Sequence, residues 1–294
     1  MNSVMFGLNV SPSTAQNSDP VLYARRAEEL GFQFVSMNDH LHGEEPRHET
    51  WTMLTWIAAA TSTIRVATRV LAVPYRHPAV TAKMAETLDR LSGGRLILGL
   101  GGGYSDEEFH AFGLGERSPR DKVDGLDEAI RIVRGLWSHP TFTFDGRLYR
   151  TDAARVEPKP ERRIPIWVRT YGPRALALTG RLADGWIPTL ELASPERIPG
   201  MRGRVLSAGR EVGREPEEIT CVYNIDVRVD ERADEPPSVV AGPARARGPT
   251  TTQLPGPWLH GHEPVPVGPD QDEQAERLAR EVVPAVRSSA TGVR

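Results

Sequence analysis

Short apolar runs alternate with amphipathic stretches along the first 230 residues of the chain. The strand-like runs cover residues 5–10, 32–37, 64–73, 95–100, 164–168, 186–189 and 219–229. Apolar residues at helical spacing predict helices over 19–30, 51–60, 78–91, 121–137, 173–183 and 195–213. A small hairpin is predicted around Asp145-Gly146, within residues 142–149. Alternation of this kind predicts parallel strands that are joined by crossover helices.

Seven strand-like runs fit either a doubly wound sheet or a (β/α)₈ barrel. No Gly-x-Gly-x-x-Gly turn follows the first run, which disfavours a dinucleotide-binding fold. Polar or glycine residues stand where the runs end, at Asn9, 38–40, 101–103, 169–170 and Thr189. Barrel enzymes keep their chemistry at the carboxyl ends of the strands. We therefore predict a TIM barrel that forms a single domain over residues 1–294.

The pattern breaks where a barrel needs its seventh helix and eighth strand. Residues 236–269 are rich in proline and show neither a helical nor a strand period, whereas 270–287 again predict a helix. We predict that this region is irregular or missing. The first and seventh strands would then have unpaired edges, and we expect lower stability, poor solubility, or rescue by the proline-rich segment lying across the gap. The segment is either a divergent loop or the product of a reading frame that shifted and was restored.

Composition narrows the functional classes. The 36 basic and 39 acidic residues give a net charge of −3, which excludes a strongly basic nucleic-acid footprint and a polybasic membrane anchor. No apolar run approaches the ~20 residues that span a bilayer, and no signal peptide is recognisable. Cys221, the single cysteine, cannot form an internal disulfide. These features predict a soluble, cytoplasmic protein.

Several motifs, in this order and spacing, resemble the luciferase-like monooxygenase superfamily in its coenzyme F420-dependent branch. They include Asn38-Asp39-His40-Leu41, Pro74-Tyr75-Arg76-His77-Pro78, Leu98-Gly99-Leu100-Gly101-Gly102-Gly103-Tyr104, Glu157-Pro158-Lys159-Pro160 and Ala183-Asp184-Gly185-Trp186. The resemblance implies a TIM barrel of the bacterial luciferase type. It also implies an oxidoreductase that transfers hydride between the deazaflavin coenzyme and a small organic substrate. Arginine-rich composition is consistent with an actinobacterial, GC-rich genome.

The resemblance implies site residues as well. Asp39 and His40 would be catalytic and lie near the ring, with the imidazole handling a proton as hydride moves. Arg69-Val70 falls where family members have a non-prolyl cis peptide against the ring. The cofactor-binding set that the resemblance implies is Asp39, Arg69, Val70, Gly101, Gly102, Gly103, Tyr104, Thr170, Tyr171 and Gly172, in which the last three belong to a phosphate loop.

Two other interpretations remain open from the sequence. One is an FMN-dependent monooxygenase on the same barrel, and the other is a non-catalytic or damaged family member. The partner that we expect is a small-molecule substrate, with neither nucleic acid nor membrane. The resemblance is compatible with a homodimer. Histidine clusters at 40–48 and 260–262 lie in polar segments without a fixed geometry, so no metal is expected.

Overall fold

A cylinder of parallel strands occupies the centre of the computed structural model, which describes residues 4–15, 18–230, 238–241, 261–266, 271–284 and 287. The strands are β1 (Met5–Asn9), β2 (Phe34–Met37), β3 (Arg65–Thr68), β4 (Leu71–Ala72), β5 (Leu96–Gly101), β6 (Phe142–Asp145), β7 (Arg150–Ala154), β8 (Ile166–Val168), β9 (Gly185–Trp186), β10 (Thr220–Asp230), β11 (Ser238–Ala241) and β12 (Gly261–Pro266). The helices are α1 (Pro20–Glu29), α2 (Thr50–Ala60), α3 (Pro78–Leu91), α4 (Asp106–Ala111), α5 (Pro119–Ser138), α6 (Pro173–Leu182), α7 (Ile198–Arg210) and α8 (Gln271–Arg277). A π-helical turn, Leu278–Val282, continues α8.

The parallel sheet closes on itself. Its neighbours follow the order β1, β2, β3, β5, β8, β9, β10 and β12, and β12 pairs with β1 again. The β4 strand follows β3 in the chain. It pairs with the carboxyl end of β5, whereas β3 pairs with the beginning of β5. Every residue of β2 and β5 is buried, as in sheets that helices cover on the outside. The predicted barrel is confirmed.

The expectation of unpaired edges on the first and seventh strands is wrong for the residues that the structure describes. The β12 backbone runs parallel to both β1 and β10 and fills the gap between them, so the alternative that the proline-rich segment lies across the gap is confirmed there. Sequence patterns miss this strand because Pro264 and Pro266 lack the N–H group that interior strands use. The β11 strand also lies in the proline-rich segment and pairs antiparallel with β10. The other residues of 236–269 lie outside the described part of the chain, and the origin of this segment stays a hypothesis.

Helix starts follow the signals in the sequence. The Asp19 carboxylate accepts hydrogen bonds from the amides of Val21 and Leu22, at 3.0 and 2.9 Å, and caps α1. Proline begins α1, α3, α5 and α6, where its missing N–H leaves no gap in the hydrogen-bonding pattern. The predicted helix of 195–213 begins later, at Ile198, and the hairpin runs further, to Ala154. The predicted helix over 270–287 is confirmed at α8 and the π-helical turn.

One partly exposed carboxylate ties α1 to the turn before β3. Glu28 Oε1 accepts hydrogen bonds from the amides of Ser62 and Ile64, each at 2.9 Å, and from both the amide and the hydroxyl of Thr63. Burial raises the pKa of Glu28, but these hydrogen bonds outweigh it and lower the pKa to about 2. The carboxylate is therefore ionised in the folded state at neutral pH.

Candidate active site

A cleft lies at the carboxyl ends of the barrel strands and consists of two adjoining cavities of about 160 and 200 Å³. The first extends over the β4 and β5 ends, and the second extends towards β10. Residues that line both cavities are His40, Arg69, Tyr104, Arg169 and Leu192. This is the end of the barrel where the polar residues of the sequence are expected to converge.

Most of the residues expected at the site lie together in the first cavity. Those that line it are Asp39, His40, Arg69, Val70, Gly101, Gly102, Gly103, Tyr104 and Tyr171. The other two lie beside it in the fold. The hydroxyl of Thr170 is buried against Thr179 Oγ1 at 2.7 Å, and Gly172 precedes the first turn of α6. The structure thus brings most of the proposed set into one cleft and leaves Thr170 in the core.

His40 is held by a carboxylate on one ring nitrogen. His40 Nδ1 lies 2.8 Å from Glu108 Oε1, and the other oxygen of Glu108 accepts a hydrogen bond from the Tyr75 hydroxyl. The Glu108 side chain is 10% exposed. Burial and the neighbouring Glu108 carboxylate raise the pKa of Tyr75, so its hydroxyl keeps its proton. A carboxylate on Nδ1 favours the tautomer in which Nε2 can accept a proton.

Asp39 faces a different partner. Its carboxylate pairs with Arg76 at 2.8 Å and accepts the amide hydrogen of Ala72 at 3.1 Å. Arg76 also contacts Glu49, which caps α2 by accepting the amide hydrogens of Trp51 and Thr52. Burial raises the pKa of Asp39, whereas Arg76 and the Ala72 amide oppose that rise. The network fixes the chain on either side of His40, which fits a positioning role better than proton transfer.

Glycines allow two strands to approach closely beneath the cleft. Arg69-Val70 is a cis peptide bond, as the resemblance implies, and it divides the predicted strand of 64–73 into β3 and β4. A Cβ atom on Gly99 would lie 1.8 Å from the Thr68 carbonyl oxygen, and one on Gly101 would lie 2.6 Å from a Val70 methyl carbon. Gly103 has a φ of +96°, which a side chain rarely tolerates. Glycine is therefore required along this wall.

The far side of the cleft is polar. Arg69 Nη1 donates a hydrogen bond to Asn224 Oδ1 at 2.6 Å, across the barrel opening. The Tyr171 hydroxyl lies 2.9 Å from Thr189 Oγ1 and accepts the Thr189 amide hydrogen at 3.2 Å. Burial raises the pKa of Tyr171, so its hydroxyl stays neutral. The cleft thus combines an apolar, glycine-rich wall with hydrogen-bonding groups opposite it.

Sequence reasoning missed Glu108 and Tyr75 as site residues. Glu108 lies on α4, a short helix that the apolar pattern does not predict. A signal was nevertheless present, because Ser105 and Glu108 have the spacing of a capping box, and the Glu108 amide donates to Ser105 Oγ at 3.3 Å. Tyr75 lies in the Pro74-Tyr75-Arg76 motif, and nothing local in the sequence indicates its contact with Glu108. Among the described residues, no group of three or more side chains could hold a metal ion.

The cleft fits a flat ring with a phosphate-bearing tail. Val70, Ala72 and Leu192 give an apolar lining next to the glycine wall. At the N-terminus of α6, a Cβ atom on Gly172 would meet nothing within 4 Å, so its backbone is open to an approaching group. Helix N-termini attract phosphate through their free N–H groups and the helix dipole. The residues present are thus compatible with a flavin or deazaflavin nucleotide.

A family model described as luciferase-like monooxygenase matches residues 3–283. An F420-dependent glucose-6-phosphate dehydrogenase of Kineococcus radiotolerans is 34% identical over 69% of this chain and 63% of its own length. A protein of the same name from Nakamurella multipartita is 33% identical, over 77% of this chain and 68% of its own length. The chain thus spans about two thirds of the length of the curated relatives that it matches.

Solved structures resemble the whole described fold. An F420-dependent secondary alcohol dehydrogenase in complex with an F420-acetone adduct has a TM-score of 0.80, with 97% of this chain and 99% of that chain covered. The two sequences are 20% identical, so the likeness shows the fold alone. No helix in the described part of the chain is long and apolar enough to cross a membrane.

Proposed function

Because the chain belongs to the luciferase-like monooxygenase family, we propose that it is an F420-dependent oxidoreductase. It would transfer hydride between the deazaflavin coenzyme and a small organic substrate. The names of its relatives support this assignment, since those at 33–34% identity are F420-dependent dehydrogenases. The observation that carries it is the His40–Glu108 pair in the cleft.

The coenzyme, when bound, supplies the ring that accepts or gives the hydride. The protein's own contribution is to handle the proton of the substrate hydroxyl. His40 Nε2 takes that proton as the alcohol carbon loses hydride, and returns it in the reverse reaction. Glu108 fixes the imidazole through Nδ1 and stabilises the positive charge that the ring gains, while Tyr75 holds Glu108 in place.

The remaining site residues would bind and orient the coenzyme. We propose that Val70 and the glycines at 101–103 lie against the ring, with Tyr104 at its edge. The open N-terminus of α6 at Gly172 would hold the phosphate, with Tyr171 beside it. Asp39 acts through Arg76, which fixes the strand end that carries His40.

We also propose that two copies associate through α2 and α3. The α2 segment, Thr50–Ala60, contains no charged residue, and its Trp56 is 68% exposed. On α3, Leu91 is 76% exposed and borders an apolar groove of about 520 Å³ between the helices. In a twofold dimer each copy presents the same groove and the same projecting side chains, so both are buried at once. Light scattering will show a dimer that Trp56→Glu dissociates; a monomeric wild-type protein would contradict this.

A cytoplasmic location is part of the proposal, and a single, buried cysteine, Cys221, is consistent with a reducing compartment.

The activity test is a change in the visible absorbance of the coenzyme. We expect anaerobic bleaching of oxidised F420 with members of a panel of secondary alcohols and sugars, and none with His40→Asn. The loss should be about 10²–10⁴-fold, the range of a general base. FMN and an NADH-driven flavin reductase would be tested in parallel. Substrate-dependent oxygen uptake with FMN, and no turnover with F420, would contradict the proposal.

A further inference from the structure

A lysine outside the cleft contacts the segment that carries Glu108. Lys122 lies near the start of α5 and contacts residues 102–109 through both its backbone and its side chain. We propose that Lys122 is a positioning residue, which holds α4 so that the Glu108 carboxylate meets the imidazole of His40. This inference rests on the proposed function, and it adds to it a residue that does not itself line the cleft.

The α4 helix needs support from the rest of the fold because it is short. It has six residues, fewer than an isolated helix needs to be stable in water. Its Ser105 cap is a contact within the segment, whereas the fully buried ring of Phe109 anchors the helix to its surroundings. The Glu108 carboxylate must stay 2.8 Å from His40 Nδ1 for the pair to form, so a small tilt of α4 would break it.

The side chain of Lys122 ties the first turn of α4 to α5. Its Nζ lies 2.8 Å from Asp106 Oδ1 and 3.5 Å from the Tyr104 carbonyl oxygen. The ammonium also lies 6.0 Å from the centre of the Phe109 ring, within the range of a cation–π contact. The Lys122 side chain is 20% exposed, so solvent screens this charge less than it screens a surface lysine.

The backbone of Lys122 supports the other end of the same segment. A Cβ atom on Gly102 would lie 2.5 Å from the Lys122 carbonyl oxygen, so the chain passes directly against α5 there. Half of the 20 residues of α5 are buried, which makes this helix a rigid base. One residue thus joins the glycine wall of the cleft to the helix that carries Glu108.

The chain uses lysine sparingly, and in the same way each time. Of the 36 basic residues, only Lys83, Lys122 and Lys159 are lysine. Each ammonium lies within 3.5 Å of both a carboxylate and a backbone carbonyl oxygen. A compact ammonium can donate to two acceptors in different directions, whereas a guanidinium holds its donors in one plane. The bridge that Lys122 makes is the one that reaches the cleft, at Tyr104.

A proton NMR spectrum of the full chain, without coenzyme, reads the contact between His40 and Glu108 directly. An imidazole N–H that donates to a carboxylate gives a resonance far downfield, which His40→Asn and Glu108→Gln should abolish. Lys122→Met keeps the length of the side chain and removes the ammonium, so we expect the resonance to be lost. The matched control is Arg131→Met, because Arg131 also lies on α5 but pairs with Asp127 of the same helix at 2.7 Å.

Turnover of F420 supplies the second measurement. Lys122→Met should lower kcat about tenfold and leave both KM and the dissociation constant of F420 within about twofold of wild type. Lys122→Arg keeps the charge and should recover most of the lost kcat. Asp106→Asn cuts the ion pair from the side of α4 and leaves α5 unchanged, so it should weaken the same resonance. Thermal melting shows which variants fold.

Three results would overturn the positioning role. The first is a wild-type spectrum without the downfield resonance, and the second is a resonance that Lys122→Met leaves unchanged, or Asp106→Asn if Lys122→Met does not fold. The third is an equal loss in Arg131→Met. A wild-type protein that binds no F420, yet loses the resonance in Lys122→Met and keeps it in Arg131→Met, would overturn the proposed function and keep the positioning role.

Discussion

Replacing Glu28 by glutamine will lower the free energy of unfolding. It will also make that free energy depend less on pH in the acid range. The carboxylate on α1 accepts hydrogen bonds from three successive backbone amides in the turn before β3. Glutamine keeps the size and one acceptor oxygen but loses the charge that strengthens these bonds. The perturbation thus removes charge while leaving the packing of α1 against the barrel intact.

The magnitude follows from the shift in the pKa of Glu28, from 4.5 to about 2. A difference of this size corresponds to roughly 3.4 kcal/mol if it is converted in full. Glu28 is partly exposed, so solvent screening reduces the contribution to about 1–2 kcal/mol. Because the folded pKa is lowered, the contribution is complete above the unfolded value and is lost as pH falls towards 2.

The assay is urea unfolding followed by circular dichroism at pH 7 and at pH 3. The matched control is Glu29→Gln, which removes an adjacent carboxylate on α1 that is 64% exposed and pairs only with Arg26 across 2.8 Å in the described residues. We expect Glu28→Gln to be clearly less stable than Glu29→Gln at pH 7, and the gap to narrow at pH 3. Equal stability of the two variants at pH 7 would refute the reasoning, as would a gap that stays constant with pH.

Three further changes test the cleft and the core. Gly102→Ala will lower stability by about 1–3 kcal/mol because its Cβ would lie 2.5 Å from the Lys122 carbonyl oxygen; Gly203→Ala, which meets nothing within 4 Å, is the thermal-melt control and should not destabilise. Tyr75→Phe removes the hydrogen bond to Glu108 and should reduce kcat about 5–30-fold with little change in KM. Burial raises the pKa of Cys221 to about 12, so iodoacetamide should label it in urea but not in the native protein at pH 8; rapid native labelling would contradict its burial.

Sequence patterns predict the barrel well because apolar residues are spaced differently in its strands and in its helices. Residues 32–37 and 95–100 are mostly apolar, as buried parallel strands require. Pro20, Pro78 and Pro173 mark helix starts that the structure confirms. The eighth strand escapes such patterns, because backbone pairing at 261–266 needs no apolar side chains and tolerates prolines that usually exclude a strand.

The candidate site is less visible in the sequence, because its contacts join residues that are distant in the chain. His40 and Glu108 are 68 residues apart, and Arg69 and Asn224 are 155 apart. No local period links such pairs, so only the folded chain shows which carboxylate serves His40. Asp39 illustrates the converse. Its position next to His40 suggests shared chemistry, yet its carboxylate pairs with Arg76 instead.

The central claim is that this cleft binds the deazaflavin coenzyme, and a fluorescence titration tests it most directly. Purified full chain would be titrated with oxidised F420 and, in parallel, with FMN. Gly102→Ala would serve as the cleft variant and Gly203→Ala as the matched control. We predict micromolar binding of F420, weaker binding of FMN, and a loss of F420 affinity in Gly102→Ala alone. A folded protein that binds neither compound, or that binds FMN more tightly than F420, would contradict the account.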